Sequence, residues 1–149
     1  MIRRDMVEVL DIERDSFPIP WGEDEFILCL RNRNCIGMVA EINDRVVGYM
    51  IYEFAKTKLQ VLNFAIAPSH RLQGVGRKML ERLVMKLNPH RQARILLEVR
   101  ETNLDAQLFF KACGFRAVSV VRDFYEDVTE DAYVFTFKVK AESKECAGR

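Results

Sequence analysis

A short segment with two glycines has the composition of an anion-binding loop. An apolar run at 64–67 passes through Pro68-Ser69-His70 to a helix that opens at Gly74-Val75-Gly76. Gly74 and Gly76 tolerate the unusual backbone angles at which successive amides point at one place. The helix start adds unpaired N–H donors and a partial positive charge. The segment therefore predicts a cradle for a pyrophosphate, although an ordinary tight turn would also explain the glycines.

A single carboxylate interrupts an otherwise apolar strand. Glu98 lies within the run 95–99, where period-two alternation places it on the same face as Leu96. Burying a carboxylate on such a face lowers stability unless the charge is paired, so an unpaired one would be retained for a function. Two explanations stay open, a functional base and a structural ion pair with Arg94 or Arg100.

The net charge of +1 conceals an uneven distribution. Residues 71–94 carry seven basic side chains against one acid, which favours an anionic ligand, and residues 123–131 carry five acids and no base. Solvated surfaces would have the same composition. The basic stretch lacks the interleaved aromatics of a stacking surface, so direct binding of nucleic acid is disfavoured.

Length and composition are those of one ordinary domain, expected over 1–140, followed by a flexible polar tail at 141–149. No apolar run is long enough to cross a bilayer and the N-terminus has no signal-peptide core, so we expect a cytoplasmic protein that does not bind membranes. The four cysteines follow no metal-ligand or disulfide pattern, and no metal is expected.

Hydrophobic periodicities predict four helices and six strands. The helices are expected at 5–14, 21–30, 74–88 and 103–113, and the strands at 38–42, 46–54, 58–67, 95–99, 117–121 and 133–140. Asn43-Asp44-Arg45 is expected to join the first hairpin, and Pro89 to end the third helix. Asn103 is expected to cap the fourth helix and Gly114 to end it.

The connections predict an α/β fold with a mixed sheet. The third and fourth strands are joined by 27 residues that contain a helix, so we expect them to be parallel through a right-handed crossover. The last two strands should form an antiparallel pair across the acidic loop. About four helices should flank this sheet.

Two blocks of the sequence resemble a known family. Arg71-Leu72-Gln73-Gly74-Val75-Gly76 resembles the (Gln/Arg)-x-x-Gly-x-(Gly/Ala) signature of the GCN5-related N-acetyltransferases (GNAT), and the stretch 97–115 is similar to their next block. Within that superfamily the segments 17–21, 63–66 and 122–125 and the Leu-Glu-Val-Arg string resemble the RimI-type enzymes, which acetylate a ribosomal protein's N-terminal alanine. The resemblance spans roughly residues 5 to 137.

The resemblance implies the GNAT fold and acetyl-CoA as cosubstrate. That fold has a mostly antiparallel sheet whose central parallel pair splays apart to admit the thioester. Backbone groups of Phe64, Ala65 and Ile66 would bind the pantetheine arm. The pyrophosphate would be held by the next segment, Arg71, Leu72, Gln73, Gly74, Val75, Gly76 and Arg77. Asn103 and Phe110 match further positions that contact the cofactor.

The same resemblance implies the catalytic groups. Glu98 matches the general base, which would act through water, and Tyr125 matches a tyrosine lining the acceptor channel. Phe110 is a departure, because the family's usual proton donor at this position is a tyrosine. Tyr125 or water would then protonate the thiolate, or it would leave unassisted. Cys113, at the end of an amphipathic helix, is interpreted as a packing residue.

These observations favour direct transfer of acetyl to an amine, and the α-amine of a protein N-terminus is the expected acceptor, with a ribosomal protein as the RimI-like substrate. Two alternatives stay open, acetylation of a small amine such as a polyamine or amino sugar, and a non-catalytic acyl-CoA-binding module. A monomer or weak homodimer is expected.

Overall fold

The computed structural model describes residues 3–125 and 130–139. Its helices are α1 (Met6–Ser16), α2 (Glu23–Arg31), α3 (Val75–Val84) and α4 (Leu104–Ala112), with 3₁₀ turns at Arg3–Asp5 and Pro68–His70. Its strands are β1 (Cys35–Ile42), β2 (Arg45–Phe54), β3 (Lys58–Ile66), β4 (Arg94–Arg100), β5 (Arg116–Tyr125) and β6 (Glu130–Lys138). They form one sheet in the order β1-β2-β3-β4-β6-β5.

The pairing of the strands confirms the predicted mixed sheet. β3 and β4 are parallel, whereas β1–β2, β4–β6 and β5–β6 are antiparallel. The parallel register joins Lys58 to Arg94, Leu59 to Ile95 and Gln60 to Leu96, and it extends over these three pairs only. The expected crossover through a helix is therefore present.

Two compact units make up the chain. The first comprises Met1–Phe54 and Val61–Leu83, and the second comprises Ala55–Gln60 and Val84–Arg149. β3 contributes its first three residues to the second unit and the rest to the first. The single domain over 1–140 stays a prediction, and the proposed tail at 141–149 lies outside the described residues. Among those residues no helix is both long enough and apolar enough to span a membrane.

In the first unit, apolar stripes on α1 and α2 meet the β2 strand. Val9 and Phe26 are completely buried, and the Phe26 ring lies edge-on to Trp21 and Tyr49 at centroid distances of 5.2 and 5.7 Å. The β1–β2 hairpin turns through Asn43 and Asp44, both at positive φ, the geometry of a two-residue turn. The predicted hairpin is confirmed, with the third predicted turn residue already in β2.

A buried carboxylate that the sequence analysis missed connects four segments of this unit. Glu13, on α1, is only 2% exposed. Its Oε2 accepts hydrogen bonds from the Tyr49 hydroxyl and from Asn63 Nδ2 at 2.8 Å, and its Oε1 accepts from the Trp21 N–H at 3.2 Å. Burial, with the neighbouring charge of Glu13, raises the pKa of Tyr49, so the tyrosine stays a donor. The network joins α1, β2 and β3 to the segment before α2.

In the second unit, α4 begins and ends as predicted. Asn103 Oδ1 accepts from the Ala106 N–H at 3.2 Å, which caps the helix. Gly114 has a φ of +93°, and the following Phe115 N–H donates to the Phe110 carbonyl at 2.9 Å. This is the closing bond of a glycine-ended helix.

The third helix is shorter than predicted. α3 ends at Val84 instead of Asn88, and the Leu87 N–H donates to the Val84 carbonyl in a single turn. Asn88 Oδ1 accepts from the His90 N–H at 2.8 Å, so the asparagine side chain organises a local turn. Pro89 therefore lies inside that turn and does not terminate the helix. β5, in contrast, reaches Tyr125, within the predicted acidic loop.

We predict that Tyr49→Phe lowers the free energy of unfolding by about 2 kcal/mol, because it removes a buried donor to a charged group. Urea unfolding monitored by circular dichroism measures the loss. Tyr52→Phe is the matched control, since the Tyr52 hydroxyl forms no hydrogen bond within residues 3–125 and 130–139 and its ring packs against Phe54. Equal stabilities for the two variants would contradict a stabilising role of the Glu13 network.

Candidate active site

The predicted anion loop adopts left-handed backbone at two positions. Leu72 has a φ of +64° and Gly74 a φ of +83°. The Leu72 side chain is fully exposed, so its conformation is not imposed by packing of that side chain. The expectation for Gly76 was wrong: it lies within α3, is buried, and is absent from the glycines at positive φ. The unusual angles therefore occur before the helix and not inside it.

The start of α3 supplies donors to this loop. The Lys78 N–H donates to the Gly74 carbonyl at 3.1 Å and makes the first hydrogen bond of the helix. The amides that precede it in a helix have no intrahelical acceptor, and the helix dipole adds partial positive charge there. Val75 and Gly76 occupy these positions. The backbone is therefore suited to an anion such as a pyrophosphate.

Hydrogen bonds from two exposed side chains brace the loop. Arg71 Nε donates to the Ile66 carbonyl at 3.0 Å, and its Nη2 donates to Ser16 Oγ at 2.9 Å. Gln73 Nε2 donates to the Ser69 carbonyl at 3.2 Å. The arginine thus ties the loop to the end of β3 and to the end of α1. Backbone amides are left as the main candidates for ligand contact.

The second candidate group is centred on Glu98, in β4. Gln60 Nε2, on β3, donates to Glu98 Oε2 at 3.0 Å. Glu98 forms no ion pair with Arg94 or Arg100 in the described structure, so the structural explanation proposed from the sequence is wrong in its partner. The glutamine was missed because a predicted parallel pairing does not fix its register.

Burial dominates the electrostatics of this carboxylate. It raises the pKa of Glu98, whereas the charge of Lys58, a bond from the residue's own backbone and the bond from Gln60 oppose the rise. The balance is a carboxyl whose pKa lies above its ordinary value. Such a group is a better proton acceptor near neutrality than an exposed glutamate.

The remaining predicted residues occupy different surroundings. Asn103 is exposed at the cap of α4. Phe110 is 7% exposed and packs against Phe115 and Phe135 at centroid distances of 5.5 and 6.3 Å. Tyr125 ends β5, and its side chain lies outside the described residues. The ring contacts of Phe110 are those of a core residue, and its contact with a cofactor stays a prediction.

Three cysteines lie in the described part of the chain, and none of them is in a disulfide: Cys29, Cys35 and Cys113. Burial raises the pKa of Cys29 to about 12. Cys29 Sγ lies 3.8 Å from Cys35 Sγ. Across the described part of the chain, no three histidine, cysteine or acidic side chains are grouped as metal ligands.

The structure therefore brings the predicted residues together in two groups. In the first unit, Ile66 and the loop 71–77 are joined through Arg71. In the second unit, Glu98 is joined to Gln60 and lies within the field of Lys58.

Comparisons with known proteins agree with these features. Residues 6–115 match the profile of the Acetyltransferase (GNAT) family. The chain is 30% identical, over 131 residues and 87% of either chain, to a Bacillus subtilis protein provisionally named ribosomal protein bS18-alanine N-acetyltransferase. It is 26% identical over 137 residues to the enzyme of that name from Escherichia coli K12, covering 91% of this chain and 92% of the relative.

Solved structures have the same fold. The crystal structure of the Escherichia coli ribosomal-protein-S18-alanine N-acetyltransferase superposes with a TM-score of 0.82 at 25% identity, covering 94% of this chain and 91% of that chain. Ard1 from Thermoplasma volcanium superposes with a TM-score of 0.84 at 23% identity, covering 94% and 95%. Because the identity to Ard1 is only 23%, this similarity shows a shared fold and nothing about activity.

We predict that Glu98→Gln raises the melting temperature at pH 7. A carboxyl whose folded pKa is raised contributes stability below its unfolded pKa and loses it as pH rises through the folded value. At pH 7 the wild-type protein therefore bears the cost of a half-buried charge that glutamine lacks. Calorimetry at pH 7 and below pH 4.5, the ordinary value, should show the difference shrinking with acidity.

Glu101→Gln is the matched control, because it removes the same charge just beyond the end of the same strand. A lower melting temperature for Glu98→Gln than for the wild type at pH 7 would contradict the raised pKa.

Proposed function

Because this chain belongs to the GNAT family of acetyltransferases, we propose that it transfers acetyl from acetyl-CoA to the α-amine of a protein N-terminus. The observation that carries the proposal is the likeness over about nine-tenths of the chain to enzymes named for alanine acetylation of ribosomal protein bS18. The proposed acceptor is thus the N-terminal segment of a ribosomal protein that begins with alanine.

The loop 71–77 fits a diphosphate through its backbone. Leu72 and Gly74 have left-handed angles, and the side chains of Arg71 and Gln73 donate hydrogen bonds that brace the loop. The amides at the start of α3 would then bind the diphosphate, with Arg77 adding charge. Acetyl-CoA supplies the thioester, and the backbone of Phe64–Ile66 would bind its pantetheine arm along the strand.

Glu98 is the proposed general base. The acceptor arrives as an ammonium, and Glu98 would take one of its protons through a water molecule so that the free amine attacks the acetyl carbon. Burial raises the pKa of this carboxyl, which suits the task. An α-amine titrates about 2.5 units below lysine, so its deprotonation is about 3.5 kcal/mol easier. Direct transfer of this kind needs no acyl-enzyme.

The leaving thiolate can depart without a phenol at position 110. Phe110 has no proton to give and packs among other rings. A thiol with a pKa of about 8.5 lies only ~1.5 units above neutrality, so unassisted departure costs on the order of 2 kcal/mol. We assign Tyr125 or water as the proton source.

Asn103 and Phe110 are proposed to line the cofactor-binding site. The Asn103 side chain uses only its oxygen in the helix cap, so its amide group can donate to the cofactor.

We predict that the purified protein acetylates a synthetic peptide that begins with alanine, and that Glu98→Gln lowers kcat by about 100-fold to 10,000-fold, the usual worth of a general base. Mass spectrometry of the peptide after incubation with acetyl-CoA measures the product. Glu101→Gln should keep the wild-type rate.

A peptide blocked at its α-amine but carrying a lysine separates α-amine from side-chain acetylation. Modification of the blocked peptide, or of a polyamine in place of the peptide, would overturn the proposed acceptor. Absence of thiol release with every amine tested would favour a binding module.

We predict that Gly74→Ala weakens binding of acetyl-CoA by roughly fivefold to thirtyfold, because an L-residue at φ +83° costs about 1–2 kcal/mol. A steric clash is not the cause of the expected effect, since a Cβ added at Gly74 meets no atom within 4 Å. Isothermal titration calorimetry measures the dissociation constant. Gly22→Ala, outside the left-handed region and also free of close contacts, is the control. Unchanged affinity of Gly74→Ala would place the diphosphate elsewhere.

A further inference from the structure

Gln60, in the second unit, connects β3 to the Glu98 carboxylate of β4 through its side chain. It is the last β3 residue in register with β4, where it pairs with Leu96, two residues before Glu98 on the same face of the strand. From there its Nε2 reaches Glu98 Oε2 at 3.0 Å. Both side chains are half-buried, so the bond is partly shielded from competing water. No other side chain of the described residues donates a hydrogen bond to this carboxylate.

We propose that Gln60 is a positioning residue that holds the Glu98 carboxylate in the orientation and ionised form in which it accepts the proton. The inference rests on the proposed function, in which Glu98 is the base. It adds a residue that neither the sequence pattern nor the likeness to other acetyltransferases singles out.

A glutamine is chemically suited to this task. Its amide donates a hydrogen bond without a charge, so it favours the ionised carboxylate less strongly than an arginine or lysine in contact would. An apolar side chain would leave the half-buried carboxylate without this donor. Gln60 occupies one acceptor position, on Oε2, and a carboxylate has about four, so others remain for the water that carries the proton. A fixed orientation also removes rotamer freedom that the reaction would otherwise have to restrict.

The charged groups near Glu98 also affect how readily its carboxyl ionises. Lys58 on β3 favours the ionised form, and Arg94 and Arg100 flank Glu98 on its own strand. On β6 the residue opposite Glu98 is the uncharged Val134, and its neighbours on that face are also uncharged. By register, the next charged positions on that face of β6 are Glu130 and Lys138, four residues to either side of Val134, and Arg116 on β5 pairs with Thr136. Gln60 is thus a neutral donor beside a carboxylate whose ionised form is favoured by Lys58.

The test is the pH profile of kcat for Gln60→Leu with a single peptide that begins with alanine, so that titration of the amine is the same for every variant. We expect the limb where the rate rises with pH to move to higher pH. At its acidic end kcat should fall by about tenfold, the factor for one lost hydrogen bond to a charged group. Gln60→Lys should move the limb the opposite way, because it replaces a neutral donor by a charged one.

Gln92→Leu is the matched control, since Gln92 Nε2 donates to the Ala55 carbonyl at 3.0 Å in the same unit and does not contact Glu98. It should leave the profile in place. A Gln60→Leu profile that superposes on that of the wild type would overturn the inference, and a uniform loss at every pH would show a structural role only.

A second measurement separates this inference from the proposed function. Carboxyl ¹³C NMR titrates Glu98 directly in the wild type and in Gln60→Leu and requires no turnover. A higher Glu98 pKa in the variant supports the inference, and an identical pKa overturns it. If the titration shifts but the wild type acetylates no peptide, the proposed acceptor is wrong while the coupling of Gln60 to Glu98 stands.

Discussion

Three parallel residue pairs between β3 and β4 determine the surroundings of the proposed base. They bring Gln60 beside Leu96, and the twofold alternation of β4 then presents Glu98 to the glutamine amide. Without this register the carboxylate would lose its side-chain donor at the same degree of burial. The cost of burying half of the carboxyl raises the pKa of Glu98, and a raised pKa suits this residue to the proposed role of a base.

β3 supplies amide donors to two carboxylates with different roles. Asn63 donates to Glu13 in the first unit, and Gln60 donates to Glu98 in the second. Glu13 is almost fully buried and also receives the Tyr49 hydroxyl and the Trp21 N–H. It has little capacity left for a ligand, so it stabilises the fold. Glu98 has one side-chain donor and remains half-exposed, which leaves acceptor positions for the proposed proton transfer.

The sequence predicted those features that follow from local chemistry. Asn103 and Gly114 bound α4 as expected, because capping and left-handed backbone are properties of single residues. The crossover between β3 and β4 followed from connection length. Contacts that depend on register were not predictable, and Gln60 is the clearest case. The end of α3 at Val84 was also missed, because the apolar stripe in the sequence continues to Leu87, beyond the last helical residue.

The most direct test of the account is a crystal structure with a peptide joined through its α-nitrogen to CoA. The account predicts that this nitrogen is linked to the Glu98 carboxylate through one water molecule while Gln60 keeps its hydrogen bond to the other oxygen. A complex in which Glu98 has no water-mediated path to the nitrogen would contradict it.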